Sequence, residues 1–411
     1  MMNVNQAIKT SINVAVIEKA LIAFFGLSLF TSKAGLNISV GLLLLYFICA
    51  CFTNQEYRHQ VVKCKVFLLA IGLYLVGLLS TIIYPTTGPD TLYFARKAAF
   101  LLAIPCLFLL NRKPENKRVA IHAMIASFLI AALLALYNAV SLESWQGQRV
   151  SSFLDVGRWS EVLTYFLVFL LPLSLDCKES VKNRLFFKFL LIIGYICLVI
   201  SGSRGPMLAT FGISVLFLLI SNRQIFYRVA IAALVILPLL TIVFPSKFNL
   251  VQERVASIVN TKDQSNSARL NIWRTGLLFA EENLHNNPKA FFFGSGPLNF
   301  EHEFRSFTIE RNNNTDITQT QIFSYTDTHN GILDSSLKLG IIYEGLFIML
   351  ILSIARAMLH ATPNIKYSGL CVIAAFFIIG MFYTNQLEYQ TICFFYFLSI
   401  SLCHKQRDIY Q

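Results

Sequence analysis

Residues 190–220 read LLIIGYICLVI (190–200), SGSRGPMLA (201–209) and TFGISVLFLLI (210–220). Two apolar runs flank one short polar bridge. Lengthened by their neighbours, each run can cross the roughly 30 Å hydrocarbon core of a bilayer as a helix. The bridge then lies at a membrane surface and carries an arginine, Arg204, there. The pattern of apolar run and short polar break recurs along the chain, which settles the fold class.

The 411 residues are 55% hydrophobic and only 14% charged, with a mean hydropathy of +0.60. A soluble domain of this length carries more charge. The expectation is an all-α polytopic membrane protein with about twelve transmembrane helices. The spans centre on 15–31, 35–52, 66–84, 98–110, 119–140, 161–176, 185–201, 207–221, 226–244, 331–355, 367–383 and 389–403. The first run carries Glu18 and Lys19 and lacks a small-residue cleavage site, so it reads as a retained helix rather than a signal peptide. The formal charge of +12 does not point to nucleic acid. Alternate loops hold most of it, including Arg58, Lys63, Lys65, Arg112, Lys113, Lys117, Arg118, Lys178, Lys182, Arg184, Arg223 and Arg228. Positive loops lie on the cytoplasmic side, which places both termini there. The nine cysteines show no CxxC or Cys/His metal spacing and no disulfide framework.

Three regions follow. Residues 1–244 hold the first nine helices, 245–328 form one large outer loop, and 329–411 hold the last three helices and the C-terminal tail. A loop of roughly eighty residues between membrane helices is functional or disordered. Trp273, Phe291–Phe293 and the stretch RLNIWRTGLLFAEENL argue for ordered helical pieces within it.

Arginines on the outer side oppose the orientation signal and need a reason. Arg204 precedes a helix start, within Ser-Gly-Ser-Arg-Gly-Pro. A helix N-terminus offers free N–H groups and a positive dipole end, a seat for phosphate. Arginine adds a bidentate fork, and Ser203 adds a hydroxyl. Arg149 and Arg158, within QRVSSFLDVGRW, share that side. So do Arg269, Trp273 and Arg274 in the loop. Together they suggest an anionic ligand beside the membrane, linked to a lipid. His329 stands where the loop meets the next span, in THNGILDSSLKLGIIYEG (328–345). An imidazole titrating near pH 6.5 can take a proton from a sugar hydroxyl. The bland alternative is an interfacial histidine near a helix start.

In order and spacing, S-x-S-R-G before a span, S-x-R-L-x-x-W in a long outer loop, and H-N-x9-G after that loop resemble bacterial O-antigen ligases. The resemblance extends over nearly the whole chain. It implies a GT-C-like glycosyltransferase of the inner membrane with a periplasmic site, surrounded by membrane lipids. Such an enzyme transfers O-antigen glycan from undecaprenyl diphosphate to lipid A–core oligosaccharide, with inversion and without metal or nucleotide cofactor. Carried over, Arg204, Arg269 and His329 are its catalytic residues; Asn330 and Gly340 fit the H-N…G pattern. A second glycine often follows three residues later in that pattern, but Tyr343 stands there, with Gly345 beyond. The same superfamily includes O-antigen polymerases, which use the same donor. A transporter or flippase for anionic lipid is the alternative of another class. Asp334, Lys338 and Glu344 on the following span would be its mark, or they line the site, Asp334 pairing Lys338 at i,i+4.

Overall fold

The computed structural model describes residues 4–84, 88–141, 148–243, 264–311, 325–361 and 363–402, with isolated positions between 244 and 263. The described residues form helices joined by short connections, without strands. In chain order the helices are α1 (Val4–Thr31), α2 (Lys33–Thr53), α3 (Gln55–Lys63), α4 (Lys65–Ile83), α5 (Gly88–Lys97) and α6 (Phe100–Asn111). Then follow α7 (Pro114–Ser141), α8 (Val156–Ser174), α9 (Val181–Ser201), α10 (Arg204–Ser221) and α11 (Arg223–Val243). The loop region holds α12 (Gln264–Asn286), α13 (Pro288–Phe293) and α14 (Phe300–Arg311). The chain closes with α15 (Gly331–Leu339), α16 (Ile341–Met358), α17 (Pro363–Gly380) and α18 (Thr391–Ser401).

Nine described helical segments are long and apolar enough to cross a membrane; two shorter apolar helices cover 365–380 and 391–401. Apolar side chains point outward as well as inward. Leu45, Leu133, Ile192 and Leu352 are exposed, while Phe25, Leu107, Phe166 and Phe397 are buried. Water would penalise such a surface and lipid does not. Polar caps mark the breaks between helices. Ser32 accepts from the Gly35 amide (2.9 Å), Asp155 from Arg158 (3.1 Å) and Ser180 from Asn183 (3.1 Å). Each satisfies an amide that the helix itself leaves open.

α8 is the central helix, buried along nearly its whole length, with α9, α10, α17 and α18 packed around it. Stacked rings fill the space beside it: Phe128 on Phe166 (4.3 Å) and Phe376 on Phe394 (4.2 Å).

The structure corrects the sequence expectation at the tenth span. The run 331–355 is not one helix but two, broken at Gly340, which has φ +88°. α15 is a separate short helix and α16 is the candidate span. Arg96 and Lys97 lie in the last turn of α5. Of the large outer loop, 264–311 holds three helices, whose Ile272, Phe279, Phe300 and Phe304 form a small core with Tyr325 and with Leu337 of α15. The stretches 257–263 and 312–324, which hold most of the polar runs NTKDQ and NNNTDITQTQ, lie outside the described residues, as do Cys403 and the tail after it.

Candidate active site

Short connections and a small helical cap gather at one end of the bundle. The segment MFYTNQLEYQ (381–390), between α17 and α18, is their common seat. At α10, a Cβ added to Gly205 would lie 3.2 Å from the Tyr383 ring and 3.1 Å from Phe382. At α8, a Cβ on Gly157 would lie 3.8 Å from the same ring. At α15, Gly331 approaches Asn385 and the Tyr383 carbonyl. Three helix N-termini therefore abut residues 382–385, and each turns the positive end of a helix dipole toward them.

Two of these helix starts carry arginines. Arg204 is the first residue of α10 and is half-buried. Arg158, in the first turn of α8, meets Glu388 at 3.4 Å, and Lys97 approaches the same carboxylate at 3.7 Å. Exposed Arg149 lies beside Gly202, whose left-handed conformation (φ +60°) ends α9; the Val150 amide ties that strap to the Ile200 carbonyl (3.2 Å).

His329 immediately precedes the cap of α15. It is the one non-glycine residue of positive φ (51°) among the described residues. Asp327 holds it there. One carboxylate oxygen accepts from the His329 backbone N–H (2.9 Å) and lies 3.0 Å from Nδ1. A neutral imidazole donating through Nδ1 has its lone pair on Nε2. Burial pushes the Asp327 carboxyl up, but His329 and Lys338 outweigh it and hold the group below the usual carboxylate range. Asp334 takes the Thr328 amide (3.0 Å) and pairs with Lys338 (2.9 Å), the expected i,i+4 contact. Its carboxyl is pushed up by burial against the pull of Lys338. Glu344 does not join that pair; it accepts from Ser335 and from Gln386 (2.9 and 3.1 Å). A cavity of about 50 Å³ separates α15 from 384–388, lined by Asp334, Ser335, Lys338, Thr384 and Glu388 among others.

The cap helices arrive from the side. α12 crosses α15 at Gly276, which faces Leu333 and Leu337. Arg269 lies two turns along α12, about 10 Å from that crossing, and is half-buried. Trp273 packs on the small core, its Nε1 buried and without a hydrogen-bond partner among the described residues. Arg274 is exposed on another face. Two further candidate substrate-binding residues have structural contacts of their own. Ser203 is fully buried with its hydroxyl 3.5 Å from the Val156 carbonyl, fixing α10 against α8. The Asn330 side chain accepts the Leu333 amide (3.1 Å) and caps α15.

Sequence reasoning missed Asp327 and the whole 381–390 segment. Asp327 had a readable signal, an acid two residues before the singled-out histidine. The segment had none, because Gln386, Glu388 and Gln390 look like ordinary polar residues in a short loop. Among the described residues no group of three or more His, Cys, Asp or Glu side chains is placed to hold a metal ion.

A family model described as O-antigen ligase matches residues 189–350. Over this segment the chain is similar to O-antigen ligases. The segment contains Arg204, Arg269 and His329, so the expected resemblance stands over the part of the chain that carries its motifs. An uncharacterised protein of Haemophilus influenzae is 25% identical over 323 residues, covering 74% of this chain and 76% of its own length. The O-antigen ligase family implies ligase- or polymerase-type chemistry on lipid-linked glycans in a multi-pass membrane protein.

Proposed function

We propose that this protein is an inner-membrane O-antigen ligase, moving glycan from undecaprenyl diphosphate to lipid A–core oligosaccharide at the periplasmic face. The observation that carries the reading is the convergence of three helix N-termini, bearing Arg158 and Arg204 with Arg149 alongside, on residues 382–388. That end of the bundle suits a diphosphate: fixed amides, helix dipoles and guanidinium forks all favour concentrated negative charge. His329, oriented by Asp327, supplies a base at the same end.

In the proposed step Arg204 and Arg269 grip the diphosphate of the donor. Nε2 of His329 accepts the proton of an acceptor sugar hydroxyl. The freed oxygen attacks the anomeric carbon from the face opposite the diphosphate. The bond from that carbon to the diphosphate oxygen breaks as the new glycosidic bond forms, and the configuration inverts. The departing charge stays on undecaprenyl diphosphate, offset by the arginines.

Purified protein with glycan-loaded undecaprenyl diphosphate and lipid A–core should yield glycosylated lipid A–core and free undecaprenyl diphosphate. Arg204→Ala and His329→Ala should each lower transfer on the order of 100-fold. Arg204→Lys should recover little, since it keeps charge and loses the fork. Full transfer by both alanine variants at normal protein level sinks the mechanism. Lengthening of the undecaprenyl-linked glycan with lipid A–core untouched would make the protein a polymerase. Movement of donor across the bilayer without release of undecaprenyl diphosphate would make it a flippase.

A further inference from the structure

A large cavity of the described structure lies beside this site. It measures about 640 Å³ and opens between α2, the α5–α6 junction and the start of α18. Its two ends differ in chemistry. At the rim stand Lys33, Arg96 and Lys97. Lys33 lies 5.0 Å from the centre of the Tyr389 ring, a cation–π contact that holds the ammonium over the opening. Among the described residues the counter-charge in contact with this rim is Glu388, which Lys97 shares with Arg158. The rim therefore stays positive.

Below the rim the walls turn apolar: Val40 and Leu44 on one side, Phe100 and Ile392 as a buried floor. Along α2 the lining residues Lys33, Asn37, Gly41 and Leu44 form one stripe, spaced by four, four and three. From Lys33 to Leu44 the stripe descends about 16 Å, the depth of one leaflet of a roughly 30 Å hydrocarbon core. Gly41 sits about 12 Å down with no atom within 4 Å of a would-be Cβ, so the groove is open where a chain would pass.

We propose that this groove binds an anionic lipid with a phosphate head at Lys33, Arg96 and Lys97 and a hydrocarbon chain along α2. Positive charge at membrane-surface height above an apolar trough one leaflet deep matches such an amphiphile and no soluble anion. Glu388 joins the groove to the arginine cluster, so the lipid head lies one carboxylate away from Arg158. Resting on the transfer reading above, this is where the second lipid substrate docks beside the donor; lipid binding itself does not depend on that reading.

The test is native mass spectrometry of the purified full chain in a neutral detergent, titrated with phosphatidic acid and, separately, phosphatidylcholine. Wild type should hold phosphatidic acid about tenfold more tightly, or better. Gly41→Phe fills the trough and replaces glycine with a better helix former, so it should keep the thermal midpoint and lose phosphatidic acid about tenfold. Lys33→Ala with Arg96→Ala should erase the preference for the anionic lipid. Excess inorganic phosphate should leave the lipid bound. The proposal is overturned if Gly41→Phe binds as wild type does, if both lipids bind alike, or if inorganic phosphate displaces phosphatidic acid. Donor cleavage is measured separately: a failed groove leaves it intact, and a failed transfer reading leaves lipid binding intact.

Discussion

His329 occupies left-handed backbone space, a conformation costing a non-glycine residue about 1–2 kcal/mol. Asp327 offsets that cost by accepting from both its backbone and its ring. The pair is a local device, two residues apart, that selects the nitrogen facing away from the carboxylate. Asp327→Asn should therefore lower transfer roughly 10–100-fold with normal protein level and donor binding. It should also change the acid limb of stability. A carboxyl held below its ordinary value contributes stability that is present above about pH 4 and is lost as pH falls through the depressed value. In wild type the thermal midpoint should drop below that point; in Asp327→Asn the drop should be smaller. Equal drops would remove Asp327 from this role. The residues flanking the pair are structural, with Asn330 closing the helix cap and Asp334 holding the Thr328 amide.

At the scale of elements, the break between α15 and α16 decides how the cap sits on the bundle. Gly294 (φ +81°) and Gly340 (φ +88°) bring two backbones into contact. A Cβ on Gly340 would fall on the Phe292 carbonyl, and one on Gly294 on the Lys338 carbonyl. The Ser295 and Gly296 amides then donate to Leu337 (2.8 Å) and Lys338 (3.0 Å). Tyr84 and Asp90 clamp the same segment from below, through Glu303 (2.7 Å) and the Leu298 amide (2.6 Å). Gly340→Ala meets both the positive φ and the packed backbone, and should cost on the order of 1–3 kcal/mol. Gly345→Ala, inside α16, meets open space and should not lower the midpoint. Thermal midpoints of the two variants in detergent check this directly; a matching loss in both would reject the backbone contact as the cause. Tyr343, where the family pattern often has a glycine, is buried against Phe94 at a ring distance of 6.0 Å. The departure is absorbed as packing.

At the scale of the molecule, residues 381–390 bind helices from every part of the chain. Gln386 reaches Glu344 of α16. Glu388 reaches Arg158 and Lys97. Gln390 donates to Glu161 in the second turn of α8 (3.1 Å), which also accepts from Tyr165 (2.6 Å). Glu161 is buried, so each of these donors matters. Gln390→Leu should lower the thermal midpoint by an amount equivalent to about 1–3 kcal/mol. Adding Glu161→Gln should recover most of it, because the group left short of a donor is then neutral. No recovery would show that the introduced leucine itself disrupts the packing.

The sequence by itself determined that the chain is a bundle of apolar helices, because each crossing needs about twenty apolar residues in a row and that demand is local. It also drew attention to the bundle's end, through the motifs around Arg204, Arg269 and His329, which lie within the segment that the family model matches. Only the tertiary structure decided that α15 separates from α16, that Ser203 turns inward, that Asp327 holds His329, and that 381–390 joins the helix starts. The physical reason is range. Gln390 meets Glu161 across 229 positions and Tyr84 meets Glu303 across 219. Partners that distant leave no mark in hydropathy or spacing and exist only once the helices have packed.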